Sequence, residues 1–113
     1  MSNEQVKDIR WDGKTAIVDA AGEIDLHHST ILQQKLLEVL NKKPDRMIIN
    51  LADVSYMDSS GVASLVKLLS RTRKNGVSLA LAAPTKKVKA IFEITRLDSV
   101  FNIFDSEQEA LAL

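Results

Sequence analysis

A chain of 113 residues fits one domain, spanning 1–113, and leaves little room for a second. Hydrophobic residues make up 45%, too many for a disordered chain, and the absence of cysteine excludes disulfides and thiolate metal sites and fits a reducing compartment. Lys plus Arg and Asp plus Glu each total 15 and aromatics reach only 4%, so the chain lacks the basic footprint and the stacking platforms of a nucleic-acid binder.

The first residues, Met1-Ser2-Asn3-Glu4-Gln5, show neither a basic start nor an apolar run, so no secretory signal is read there. No stretch reaches the length of about 18 apolar residues that a membrane span needs. The expectation is a cytoplasmic protein without membrane insertion.

Val6 to Trp11 alternates apolar and charged residues and reads as an edge strand. Asp12-Gly13 is a hairpin turn signal, and Thr15 to Ala21 is the return strand, ending at Gly22. Glu23 to His28 connects it to a helix from about Ser29 to Asn41. There Leu32, Leu36, Val39 and Leu40 recur at helical spacing and make one apolar stripe. Pro44 forces an exit, and the lysines before it suit a helix C-terminus.

Arg46 to Leu51 is a nearly continuous apolar run, as expected of a strand covered on both faces. A second helical stripe follows, formed by Val62, Leu65, Val66 and Leu69 and stopped at Asn75-Gly76. Val77 to Ala82 reads as another buried strand. Pro84-Thr85 opens a third helix with Val88, Ile91 and Phe92 inward. Val100 to Phe104 reads as a short last strand, and Ser106 with Glu109 forms a capping box for a terminal helix through Leu113.

This order implies an α/β fold: a single mixed sheet of about five strands, an N-terminal hairpin then parallel strands, flanked by about four helices. Parallel strands send all their strand-to-helix connections out at one edge. Asp25 and Ser59 are therefore expected on the same rim, with Pro84-Thr85 beside them.

The stretch Asp53-Val54-Ser55-Tyr56-Met57-Asp58-Ser59-Ser60-Gly61 carries the chemistry. It joins a strand to a helix and places two hydroxyls beside a carboxylate. One reading is structural: Asp58 and the serines cap the orphan N–H groups of the helix, and Gly61 allows close packing. The other is functional: Ser59, beside the carboxylate of Asp58, is held out to a partner and accepts a phosphate. The two are compatible.

A phosphate adds roughly −1.5 to −2 charge. At about 5 Å from a partner carboxylate, with an effective dielectric of ~20, each unit like-charge pair costs roughly 3 kcal/mol, more than a hundredfold in affinity.

Other chemistry has less support. A hydrolase triad of Ser59, His28 and Asp25 can be drawn, but Met57 stands where a nucleophile elbow needs glycine. His27 and His28 are adjacent, face different ways and have no third ligand, so no metal site and no cofactor is expected. Asp25 has a second reading as a cap for the first helix. Lys86, Lys87 and Lys89 read as a solvated helix face.

These residues resemble the STAS domain, specifically the small bacterial anti-sigma factor antagonists. Gly22-Glu23-Ile24-Asp25 resembles the family's early Gly-Glu-Leu-Asp segment, and the stretch from Asp53 to Gly61 resembles its signature. Val88 through Leu97 resembles its third-helix region, and Phe101 its last strand. The resemblance implies a protein that is not an enzyme and that binds an anti-sigma factor serine kinase, so releasing a sigma factor to activate transcription. It further implies phosphorylation by that kinase on Ser59, dissociation of the modified form, and restoration by a serine phosphatase. Asp25 resembles, by position, an aspartate that contacts the kinase, and Ser60, Gly61 and Val62 sit where the family also makes contact.

Related domains serve as scaffolds in signalling or transport assemblies without a phospho-switch, which is the alternative reading. Two departures stand out. Gly61-Val62-Ala63 replaces the Gly-Leu-Gly of many members, and Arg96 stands where a glycine often ends the third helix.

Overall fold

The computed structural model describes residues 5–112. The element order is β1 (Val6–Asp12), β2 (Thr15–Ile24), α1 (Ser29–Leu40), β3 (Arg46–Met57), α2 (Ser59–Lys74), β4 (Ser78–Ala82), α3 (Lys86–Ile94), a 3-10 turn (Leu97–Ser99), β5 (Asn102–Phe104) and α4 (Glu107–Leu111). The strands lie in the order β1-β2-β3-β4-β5, with β1 antiparallel to β2 and every later pair parallel. The mixed sheet with its N-terminal hairpin is the architecture expected from the alternation of patterns.

Alternation along the strands sends side chains to two unequal layers. Ala16, Val18, Met47, Ile49, Leu79 and Leu81 meet Leu32 and Leu36 of α1, Leu65 and Leu68 of α2, and Val88 and Phe92 of α3. Phe92 and Phe101 close this layer edge to face, with ring centroids 5.4 Å apart. On the other face Ile17, Ile48, Ala80 and Ala82 pack, among the described residues, against Ala110 and Leu111 of the short α4 and Phe104. Two arginines from the sheet make up for that thin cover. Arg46 donates to the C-terminal carbonyls of Ala110 and Leu111 at 3.1 and 3.2 Å, and Arg10 grips Asp19 and Glu107 together.

Several boundaries differ from the sequence reading. β2 runs on to Ile24 instead of stopping at Ala21, and β3 runs on to Met57 instead of Leu51. The two stay paired to the end, Ile24 against Met57, with two register shifts in which β3 carries one extra residue each time. Such bulges bend and twist a strand. Polar Asp53 and Ser55 made this segment look like a loop; they sit on the exposed side of a strand.

β4 ends opposite Asn50, so the last seven residues of β3, with the end of β2, form a two-stranded tongue beyond the rest of the sheet. Pro84-Thr85 leaves the sheet at the root of that tongue and does not join Asp25 and Ser59 at its tip. α2 begins at Ser59, not Val62, and its stripe uses Leu68, while Val66 faces solvent. β5 begins at Asn102, with Phe101 buried just before it.

Thr85 and Ser106 accept from Val88 N and Glu109 N at 3.3 and 3.1 Å, capping α3 and α4. α4 ends at Leu111; Leu113 lies outside the described residues. α3 still stops without the glycine, because Arg96 itself takes the left-handed conformation, φ 63° and ψ 20°. Among the described residues, no helix is long and apolar enough to cross a membrane.

Candidate functional site

The tip of the tongue is one corner built by two chain turns. At the end of β2, Asp25 folds the chain back into α1. Its Oδ1 accepts from the backbone N–H groups of His27 and His28 at 3.0 and 3.2 Å and lies 2.7 Å from His28 Nδ1. Its carbonyl accepts from His28 N and Ser29 N. Asp25 therefore organises the entry to α1, although the residue flanking the helix is His28. Partial desolvation pulls the Asp25 carboxyl upward. The His28 ring and the two backbone N–H groups outweigh it and hold the pKa below the ordinary value.

One strand over, Asp58 is the N-cap of α2. It is extended (φ −107°, ψ −171°), and its Oδ1 accepts from Ser60 N at 2.9 Å and Gly61 N at 3.2 Å. The Asp58 N–H donates to the carbonyl of Ile24, so the two turns are stitched together. Ser64 fixes the helices behind them: its Oγ lies 3.2 Å from the carbonyl of Ser29 and 3.1 Å from that of Ser60.

Gly61 makes this arrangement possible. A Cβ there would stand 2.6 Å from the carbonyl oxygen of Ile24, 2.7 Å from Met57 Cγ and 2.8 Å from Ile24 Cγ2. Only a residue without a side chain lets α2 sit directly on the end of β2.

The residues named from the sequence divide into two groups. Asp25, Asp58, Ser59 and Ser60 come together at the surface of the corner, Ser59 exposed and the others half-buried. Gly61 and Val62 are buried beneath it, Gly61 against Ile24 and the Val62 side chain in the core. Met57 is buried at 1% exposure and anchors the tongue. Ser59 is the first residue of α2, and among the described residues no hydrogen bond occupies its hydroxyl. Asp25 and Asp58 each hold backbone N–H groups through one carboxylate oxygen, and Ser59 presents an exposed hydroxyl beside them.

Two residues escaped the sequence reading as surface features. Leu26 is 70% exposed beside Asp25, and Tyr56 is 46% exposed on the tongue. They flank the acidic corner with apolar surface. Only the position of Tyr56 on the solvent side of an extended β3 carries that signal, and the sequence hid the extension.

The hydrolase geometry does not close. His28 engages Asp25, but no hydrogen bond joins Ser59 to His28 among the described residues. The nearby cleft between α1 and α2 is lined by Ser29, Thr30, Gln33, Ser60, Ala63, Ser64 and Lys67, and includes none of the three. No group of three metal-ligating side chains is present among the described residues.

A mixed five-stranded sheet with an exposed serine at the start of its second helix defines a small α/β domain built around an exposed corner. The chain belongs to the STAS domain family, whose model matches residues 5–110. It is 33% identical over 96 residues to the anti-sigma-B factor antagonist of Bacillus subtilis (strain 168), covering 85% of this chain and 87% of that protein. Among solved structures, an anti-sigma factor antagonist from Mycobacterium paratuberculosis superposes with a TM-score of 0.85 at 22% identity, covering 92% of this chain and 88% of the other. The anti-sigma factor antagonist SpoIIAA matches in its unphosphorylated form (TM-score 0.77, 22% identity, 92% and 91% coverage). The Bacillus cell fate determinant SpoIIAA in its phosphorylated form also matches (TM-score 0.71, 20% identity, 93% and 96% coverage). At these identities the structures establish the fold.

Proposed function

We propose that the protein is an anti-sigma factor antagonist that works by partner switching and is not itself an enzyme. Unmodified, it docks its corner on an anti-sigma factor that is a serine kinase, and so frees a sigma factor. That kinase transfers a phosphate to Ser59, the charged form leaves, and a serine phosphatase resets it. The contact surface comprises Asp25, Asp58 and Ser60, with Gly61 and Val62 holding α2 in place beneath them and Leu26 and Tyr56 adding apolar contact.

The observation that carries this reading is the Ser59 hydroxyl, exposed and without a hydrogen bond among the described residues, at the start of α2 beside the capping carboxylate of Asp58. Its position in the first turn of α2 also matters, because the helix N-terminus tolerates an added anion. The names of the relatives point the same way, and one structural neighbour was solved in a phosphorylated form.

The test is phosphotransfer from the cognate anti-sigma factor with labelled ATP. Wild type takes one phosphate on the peptide that contains Ser59, and Ser59→Ala takes none. Undiminished label in the alanine variant would move the acceptor elsewhere.

A further inference from the structure

Among the described residues β1 is the outer strand of the sheet, with β2 on one side only. It pairs Ile9 with Val18, Arg10 with Ile17 and Trp11 with Ala16. The Ile9 N–H is met by the carboxylate of its own neighbour, Asp8, at 2.9 Å. That contact shows which way the backbone points. Alternation in an antiparallel ladder then turns the N–H and C=O groups of Ile9 and Trp11 toward the open edge and those of Arg10 toward β2. Ile9 and Trp11 are also 37% and 42% exposed, two large apolar side chains side by side on an open edge. Between β1 and α1 runs a groove of about 450 Å³, lined by Val6, Ile9, Glu38, Val39 and Lys42 among others.

The geometry points to β1 as the seam of a homodimer, two copies pairing their β1 strands antiparallel about a two-fold axis through Ile9. The strand is complementary to itself in that register. Ile9 faces Ile9 of the second copy, and Asp8 faces Arg10 on both sides of the axis. Arg10 keeps a donor for this contact. A guanidinium carries five N–H groups, and Asp19 and Glu107 use four of them. The Asp8 carboxylate is released when the Ile9 N–H finds the carbonyl of its counterpart. Ile9 and Trp11 of the two copies then form one apolar strip over the groove.

A second copy fits better than an unrelated strand because the same residues supply both halves of each charge pair. The seam is short, well under the ~1,200 Å² of a stable interface, so the dimer is a weak one that forms at high micromolar concentration. Val18, opposite Ile9, lies six residues before Ile24, so each Ser59 corner stands about 20 Å from the axis and stays open. One dimer would present two acceptor hydroxyls.

The test is sedimentation velocity on the full chain from about 5 to about 500 µM, with amide hydrogen exchange at both ends of that range. The expected result is a monomer at the low end and a mass moving toward twice that value at the high end. Concentration should protect the Ile9 and Trp11 amides and leave Arg10, already bonded to β2, unchanged. Ile9→Lys sets like charges on the axis, and Asp8→Arg opposes Arg10; each should weaken association at least tenfold. Both positions are exposed, and circular dichroism checks that the fold persists. A monomer throughout the range, a dimer indifferent to both variants, or protection rising away from β1 overturns the proposal.

Discussion

The corner at the tip of the tongue and the face covered by α4 both gather carboxylates, and they treat them in opposite ways. Under α4, Asp19 and Glu107 are answered by the Arg10 guanidinium, and Glu107 also accepts from Asn50 at 3.0 Å. At the corner, Asp25 and Asp58 are answered by backbone N–H groups and a histidine ring. The α4 face spends its charge on holding a short helix down. The corner uses one oxygen of each carboxylate and keeps the Ser59 hydroxyl exposed, which on the proposed function is what a partner meets. Charge neutralised inside the fold serves stability; charge held by local dipoles is still available for recognition.

Four substitutions test that division. The largest effect is expected from Ser59→Asp, which adds one negative charge at the corner. On the proposed function, affinity for the anti-sigma factor should fall by about a hundredfold, from roughly 3 kcal/mol of like-charge repulsion, with thermal stability nearly unchanged. Titration calorimetry reads the first quantity and thermal melting the second.

Gly61→Ala should break the corner from beneath. Its methyl meets the Ile24 carbonyl, which belongs to a paired strand and cannot swing away, so a loss of about 1–3 kcal/mol is expected in denaturant unfolding.

Arg10→Gln should do the reverse of Ser59→Asp, costing about 1–2 kcal/mol of stability and leaving partner affinity within twofold. Its pH dependence has a definite sign. The Arg10 hydrogen bond, against a smaller opposing desolvation, holds the Glu107 pKa below the ordinary 4.5. The stabilisation is therefore complete above pH 4.5 and fades as acid titrates the folded carboxylate through its lower value. Wild type should lose stability on acidification in that range, and Arg10→Gln should lose less.

The smallest effect is a gain. Arg96→Gly relieves a left-handed residue and should raise stability by about 0.5–1 kcal/mol, seen as a higher melting temperature.

Much of this molecule can be read in the chain. The hairpin turn, the helical stripes and the caps at Asp58, Thr85 and Ser106 rest on local chemistry that short windows carry. The length of β2 and β3 could not be read that way. Their upper halves pair with each other alone, through two bulges, and Asp53, Ser55 and Gly22 look like loop residues until the partner strand is in place. The same blindness hid the exposure of Tyr56 and Leu26, and placed Pro84-Thr85 on a rim it does not reach. Arg96 illustrates a different limit. Its backbone conformation belongs to glycine by preference, and the surrounding fold imposes it on arginine. The candidate site was the more legible part because the side chains of Asp25 and Asp58 act on residues two and three positions away.

The most direct measurement is the affinity of the cognate anti-sigma factor for this protein before and after enzymatic phosphorylation, compared by titration calorimetry at fixed salt. Tight binding of the unmodified form, and a loss of at least about a hundredfold once Ser59 carries phosphate, is the predicted result. Equal affinity of the two forms would contradict the account.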